Sequence, residues 1–414
     1  MTTPQSRRFP IHRAWVIATA CALMLFITMG MNLNVFSLYY PHMLRDLGFT
    51  NAQVSWVGTM RSMTALAGFL TVHLLCVRLG LRRTVAVGLL LQILSRVICG
   101  VTSSFWAYCG ASALAGLAYA WGGMVPLSLL IGRWFQGHIG FAVGYASAGS
   151  GLAIILLPAA QDAIIKSHGL HAAFLCEAAL TVLLSALVLL LLRDSPAQVG
   201  LSPCHMGHDN TVPEASVHLA PEGMTHALLF MILLAAFIMG GPLVAGYGHI
   251  SVLYTSSGYD TADVSRYLSY MGLILIFSKA LCGAIADRLG CFRANFILGG
   301  TFVLAHILLC MAPMQSRTLP YLTMTLYALG APLCSVSLAT WARDLSGDDT
   351  YERYVRWLNT CYITGALVFG PLPGLLADRF HSYVPAFAIF TLASLLCIAL
   401  AQIVYFRVGL TKAA

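Results

Sequence analysis

The chain has 414 residues, of which 59% are hydrophobic and only 9% charged, with a mean hydropathy of +0.81 and a formal net charge of +8. These proportions exclude a soluble globular domain, which could not hide so much apolar surface from water. They also leave nucleic acid a poor explanation for the positive charge, because the basic residues flank apolar runs and are better placed to meet anionic lipid.

A helix rises about 1.5 Å per residue, so roughly 20 apolar residues cross a hydrocarbon core. Twelve such segments are predicted, at about 14–40, 53–77, 84–102, 105–132, 139–160, 172–192, 226–254, 264–286, 294–314, 319–342, 355–377 and 383–406. They are rich in Leu, Ala, Gly and Ile and lack a two-residue alternation, which favours helices over a barrel. The first segment follows Arg7, Arg8 and Arg13 as a signal peptide would. Its length of about 27 residues and the absence of a small-residue cleavage site predict that it stays in the membrane. Of the 23 Lys and Arg, Arg45, Lys166, Arg266, Arg317 and Arg379 fall on one side, Arg61, Arg96 and Lys279 fall inside spans, and the remainder share the side of the termini. That asymmetry places both termini in the cytoplasm.

The loop at 193–225 is the one long hydrophilic stretch and carries Pro196, Pro203, Pro213 and Pro221. It predicts an N-terminal bundle over 1–192, a cytoplasmic linker over 193–225 and a C-terminal bundle over 226–414. Within the linker, "CHMGH" gathers Cys204, His205 and His208, which reads as polar linker in preference to a metal site. The 12 cysteines are scattered singly without a C-x-x-C, so no disulfide framework is expected. The two halves match at one offset. "GFTNAQVS" from Gly48 recurs as "GYDTADVS" from Gly258, and "RLGLRR" from Arg78 recurs as "RLGCFR" from Arg288, each 210 residues on. A duplicated six-helix unit follows, and such repeats commonly hold a substrate between them at the midplane.

Lys279 stands in the apolar run "LILIFSKALCGAIADRLG", eight residues before Asp287. That spacing puts it about 12 Å from the end of its helix. A lysine near a helix centre costs roughly 2.5–3.5 kcal/mol to insert. Of the acidic residues, Glu177 alone lies within a predicted span, so no internal counter-ion is evident. An anionic substrate docking on Lys279 in a wet central cavity would offset that cost. Arg61 is a second candidate, as a carboxylate site, an outer gate or a snorkelling residue, whereas packing or snorkelling is expected of Arg96. His249 has the chemistry to couple protons or to sit as a bonded neutral imidazole. Asn34, Tyr119, Tyr145, Tyr247, Tyr327, Asn359 and Tyr362 are further candidates for polar contacts.

The whole chain resembles the major facilitator superfamily, whose characteristic loop between helices 2 and 3 recurs between helices 8 and 9. "GAIADRLGCFR" fits it through Gly283, Asp287, Arg288, Gly290 and Arg293, and "VRLGLRR" through Arg78, Gly80, Arg82 and Arg83, with Val77 in place of the usual aspartate. Such loops latch one conformation through carboxylate, guanidinium and helix-end contacts. "RWFQGHIGFAVGYASAGSG", from Arg133 to Gly151, is similar to the helix 4 to 5 region of the monocarboxylate transporter group and the related oxalate/formate antiporters. In it, Gly140 and Gly144 make a small-residue face suited to close helix approach. In the group's helix 7 to 8 pattern, His249 matches an outer histidine, and Ser278 and Lys279 stand at a Gly-Arg pair. Neutral residues around Asn32 and Asn34 replace a helix 1 lysine of the eukaryotic members, and Leu275 replaces a helix 8 aspartate, so proton coupling through that carboxylate is not carried over.

The resemblance implies an all-α fold of twelve transmembrane helices in two pseudo-symmetric six-helix bundles. It implies a non-enzymatic secondary transporter of a small organic anion, most readily a monocarboxylate, working by alternating access as a monomer in the cell membrane. Protons or a counter-transported anion are its possible coupling partners, with no cofactor or metal. A small-dicarboxylate antiporter, an exporter of amphipathic drugs and a non-transporting sensor of the same fold remain open alternatives.

Overall fold

The structure, a computed structural model, describes residues 13–136, 139–205, 223–334, 337–347 and 350–410. The side chains of Lys279 and Asp287 and the surroundings of Gly140 lie outside the described part, as do Arg7, Arg8 and His208 altogether. Among the described residues, nine helices are long and apolar enough to cross a membrane. The 50-residue one among them turns back at Gly169, and segments 261–289 and 319–345 complete a set of twelve. In chain order these are α1 (Arg13–Asp46), α2 (Asn51–Leu79), α3 (Leu81–Val101), α4 (Phe105–Trp134), α5 (139–168), α6 (170–191), α7 (His226–Ser256), α8 (261–289), α9 (291–310), α10 (319–345), α11 (351–380) and α12 (Val384–Val408). The side of the bundle where α1 starts and α12 ends is called the terminal face, and the opposite side the far face.

The sequence repeat has a backbone cause. Gly48 and Gly258, which precede α2 and α8, have φ of 67° and 95°, and Gly80 and Gly290, which separate α2 from α3 and α8 from α9, have φ of 82° and 76°. These left-handed turns carry a steric cost for any side chain, so both copies keep glycine. Starts are equally specified. Thr50 and Gln53 form a reciprocal capping box at α2, and Asp260 accepts from the Thr261 amide at α8.

α1 departs from the continuous helix expected of its sequence. It runs as α-helix to Leu25, as π-helix over Phe26–Asn34, as 3-10 helix over Phe36–Tyr39, and resumes as α-helix at Tyr40. Its counterpart α7 also holds a π-helical stretch, Gly241–Gly246. The first helix of each half is therefore irregular near its middle. Irregular backbone at that depth is tolerated where protein covers it.

Cys204 and His205 pair through their backbone with Phe135 and Gln136, tying the start of the linker to the α4–α5 connection. Helix contacts follow small residues, and of the expected pair only Gly144 has its surroundings within the described part. A Cβ at Gly144 would meet open space. Further along the same motif, a Cβ at Gly149 would lie 2.0 Å from the Ala22 carbonyl oxygen of α1, and one at Gly151 would lie 2.6 Å from Ile276 of α8. The close approach of α5 to its neighbours thus belongs to Gly149 and Gly151, one to two turns beyond Gly144.

Gly149→Ala should therefore force α1 from α5 and lower stability by about 1–3 kcal/mol, the usual cost of overpacking. Gly144→Ala should be near neutral. Thermal unfolding of the two purified variants in the same detergent checks the contrast.

Candidate functional site

Along the irregular part of α1, four main-chain carbonyls accept from side chains of other helices. Arg96 of α3 donates to Met31 O at 3.3 Å and Arg61 of α2 donates to Asn32 O at 2.7 Å. From the other half, the Tyr247 hydroxyl donates to Asn34 O at 3.1 Å and the Ser251 hydroxyl to Ser37 O. An unmet carbonyl in a medium of low dielectric costs several kcal/mol, which explains why polar groups converge here.

The two arginines flank one ring, with Arg61 Cζ 5.4 Å and Arg96 Cζ 4.9 Å from the Phe36 centroid. Their charges are treated differently. Arg96, 1% exposed, forms an ion pair with Glu177 of α6 at 2.9 Å, and Glu177 also accepts from Tyr39 at 2.6 Å and Gln161 at 3.3 Å. Arg96 is thus a paired interior cation, not the packing or snorkelling side chain expected. Its counter-ion is the one acidic residue that the sequence placed within a span. Arg61 is 6% exposed, its Nε has no hydrogen-bond partner, and no carboxylate lies within ion-pair distance among the described residues.

His249 lies beside this centre, its ring 5.3 Å from Tyr40 and 5.9 Å from Tyr383. Its Nδ1 is 2.7 Å from Ala245 O and its Nε2 2.7 Å from Ser55 Oγ across the interface. With the proton on Nδ1, the ring donates to the carbonyl and accepts from the serine, so both nitrogens are satisfied. Asn34 reaches Ser150 O at 3.5 Å, Tyr247 lies 6.3 Å from Tyr327, and Tyr327 donates to Pro242 O at 3.3 Å. Arg61, His249, Asn34, Tyr247 and Tyr327 are thereby gathered around the irregular parts of α1 and α7. Tyr119 instead packs on Phe69, Tyr145 bonds Thr19 near the terminal face, Asn359 bonds Val355 O of its own helix, and Tyr362 is half-buried on α11.

Among the described residues, the hydrogen bonds joining the halves run from the irregular stretches of α1 and α7 to the far face. Besides those of Tyr247, Ser251 and His249, Asp378 of α11 accepts from the Asn51 amide at 3.0 Å and the Ala52 amide at 2.8 Å. It therefore sits on the positive end of α2. Tyr383 donates to Asn51 Oδ1 at 2.7 Å, and Lys166 of α5 reaches Asp260 at 3.5 Å. Asp378 was not singled out in the sequence, where a carboxylate near a helix end looks like any loop charge.

At the terminal face, the carboxylate missing at Val77 is supplied from elsewhere. Asp194, just after α6, accepts from the Arg82 amide at 2.7 Å, and the Arg82 guanidinium donates to Leu189 O at 2.8 Å. Arg78, Arg83, Arg288 and Arg293 are exposed. The loop thus clasps α3 to α6 within the N-terminal half.

Two repeated halves around irregular helices, latched at one face, define a polytopic membrane carrier. Residues 20–362 match the family model of the Major Facilitator Superfamily, and the chain belongs to that family. It is 22% identical over 383 residues to MFS-type transporter pynF of Aspergillus niger, covering 89% of this chain and 82% of that one. It is 23% identical over 404 residues to Monocarboxylate transporter 2 of Mus musculus, covering 92% and 82%. Among solved structures, a POT family transporter in complex with 5-aminolevulinic acid superposes with a TM-score of 0.73 at 12% identity, covering 98% of each chain.

Glu177→Ala should strand Arg96 in the interior and destabilise the protein by about 3–5 kcal/mol. The double variant Arg96→Met/Glu177→Leu should recover part of that loss, since the stranded charge goes while Met31 O loses its Arg96 donor. Denaturation of wild type, single and double variants measures the cycle, and equal losses in single and double would refute the pairing as the cause.

Proposed function

We propose that the protein is a secondary active transporter of a small organic anion, a monocarboxylate most readily, moved by alternating access of its two halves. The observation that carries this reading is Arg61. A guanidinium with no carboxylate beside it among the described residues, held at the contact between the halves, lacks a counter-charge that an anionic substrate would bring. The likeness to a monocarboxylate transporter supports the substrate class. Lys279 remains a second cationic contact on α8, and Asn34, Tyr247 and Tyr327 are proposed to orient the rest of the substrate. The halves are taken as 1–192 and 226–414, joined by a cytoplasmic linker, with both termini cytoplasmic in the cell membrane and the protein working as a monomer. Pro158 and Pro242, within α5 and α7, are proposed hinges.

The test is uptake and binding of labelled pyruvate in proteoliposomes of the full-length protein. Arg61→Ala should weaken binding at least about tenfold, equivalent to roughly 1.4 kcal/mol. Arg61→Lys should retain part of it, because charge survives while the planar fork is lost. Lys279→Ala should impair binding independently, and an uncharged amide analogue should fail against wild type. If Arg61→Ala and Lys279→Ala both fold and bind as wild type does, the anion reading is wrong. A drug exporter would transport neutral or cationic amphiphiles regardless of either substitution.

His249 has both nitrogens occupied while α2 and α7 touch, so its Nε2 meets water only when Ser55 moves away. His249→Gln should therefore flatten the pH dependence of pyruvate flux. An unchanged profile removes His249 from coupling.

A further inference from the structure

The two seams between the halves close to different depths. α2 meets α11 through notches at Gly374 and Gly370, and a Cβ at Gly370 would lie 2.5 Å from Thr59 Oγ1. Between Asn51 and Thr59 this seam covers about 12 Å of α2. α5 meets α8 from Lys166, 3.5 Å from Asp260, down to Gly151, where a Cβ would lie 2.6 Å from Ile276 Cγ1. That seam covers about 22 Å of α5, nearly twice the depth. Nearer the terminal face the halves part: a Cβ at Gly144 would meet open space, and Tyr145 of α5 and Asn359 and Thr360 of α11 are exposed.

At its deep end the α5–α8 seam is reciprocal. Ile276 of α8 fills the notch left by Gly151, and about one turn nearer the far face Ile154 of α5 fills the notch left by Gly272, where a Cβ would lie 2.5 Å from Ile154 Cγ2 and 2.7 Å from its Cβ. β-branched side chains on a helix hold largely to one rotamer, so both knobs are stiff. Sliding α5 along α8 in either direction drives an isoleucine out of its notch and against the next turn, which overpacking resists. Tilting meets no such resistance, because the two contacts lie within a single turn. Beside them Gly149 presses on Ala22 of α1, so α5 follows its own half when the halves turn. The α2–α11 seam is built otherwise: Gly370 and Gly374 both lie on α11 and face Thr59, Ser55 and Asn51, a one-sided and polar fit.

We propose that the paired contacts Gly151–Ile276 and Ile154–Gly272 are the pivot on which the halves tilt. α5 and α8 keep touching at these two notches in every state, and the gaps on either side of them open by turns. Because the pivot lies on one seam only, the other seam travels farther, and α2 leaves α11 and its Asp378 whenever the far face opens. This inference rests on the alternating-access reading and adds to it the place where the halves turn. It is independent of which substrate is carried.

Cross-linking in the full-length protein in liposomes tests it without any transported anion. Ser251→Cys supplies a reporter, since Ser251 is 0% exposed, bonds Ser37 O across the halves and meets water when the far face opens. Its reaction with a membrane-impermeant maleimide is timed, with the same protein lacking the reporter subtracted for the native cysteines. Gly151→Cys/Ile276→Cys sets two Cβ atoms 4.0 Å apart, within disulfide reach. A link that both states satisfy equally shifts neither, so oxidation of this pair should leave the reporter rate within about twofold of the reduced protein. Gly374→Cys/Ser55→Cys joins the α2–α11 seam, where the two residues touch, and favours the closed state alone. Its oxidation should slow the reporter at least about tenfold. A Gly151–Ile276 link that slows the reporter as much, an α2–α11 link that slows nothing, or a Gly151/Ile276 pair that never oxidises in the folded protein overturns the proposal. Gly272→Ala checks the second notch without a link: it should speed the reporter at least about threefold by overpacking, and Ile154→Gly in the same chain should reverse this. An unchanged rate in both variants counts against the pivot. If the reporter is never modified in any reduced protein, the far face stays shut and alternating access fails with the pivot. Failure of pyruvate uptake alone counts against the proposed substrate and leaves these results unchanged.

Discussion

The break in α1 is the constraint from which much of the centre follows. Where the chain leaves regular helix between Phe26 and Tyr39, the α-helical hydrogen-bond pattern is broken and interior carbonyls become open to further donors. Water is scarce there, so donors must come from side chains. Two are arginines of the same half and two are hydroxyls of the opposite half. The first pair fixes the shape of α1 permanently. The second pair exists only while the halves touch, so the same defect that demands satisfaction also registers the position of the other half.

Supplying arginines as donors brings charge into the interior, and the two are resolved differently. Arg96 has Glu177, braced by Tyr39 and Gln161. Such a cluster adds little net stability over an apolar core, but its removal in part is costly, so it behaves as a rigid post. Arg61 lacks an acidic partner among the described residues and lies where α2 meets α1 and α7. A rigid post beside a cation without an acidic partner would suit the transport proposed above, in which the scaffold holds still while cargo neutralises Arg61.

The fold was legible in the sequence because a bilayer demands long apolar runs, and because glycines at positive φ recur in both halves at Gly48, Gly258, Gly80 and Gly290. The irregularity of α1 was not legible, because a π stretch of nine residues is too short to impress its own period on an apolar run. Pairings across the structure were not legible. Arg96 with Glu177, Asp194 with the start of α3, and Asp378 with the start of α2 join residues 81, 112 and more than 300 positions apart. Nothing in local spacing marks such partners. The choice of Gly149 over Gly144 as the contact glycine depends on helix rotation, which a small-x-x-x-small pattern leaves undetermined.

The chemistry of the far-face latch also bears on how readily the halves can part. Its joints include the α2 end with Asp378, Tyr383 with Asn51, Ser55 with His249, Lys166 with Asp260, and single hydroxyl contacts to α1. An ionic contact with a helix end contributes up to about 2 kcal/mol, and each neutral hydrogen bond roughly 0.5–1.5 kcal/mol. Their sum is a handful of kcal/mol, part of which water returns when the joint opens. Reversing a population from 1:99 to 99:1 takes about 5.5 kcal/mol of differential affinity. A latch built from a few polar joints therefore lies within reach of what one bound anion or a change of protonation can supply. A wide apolar seam of the kind that holds α1 to α5 does not, and under the proposed alternating access that difference would separate the contacts that move from those that carry them.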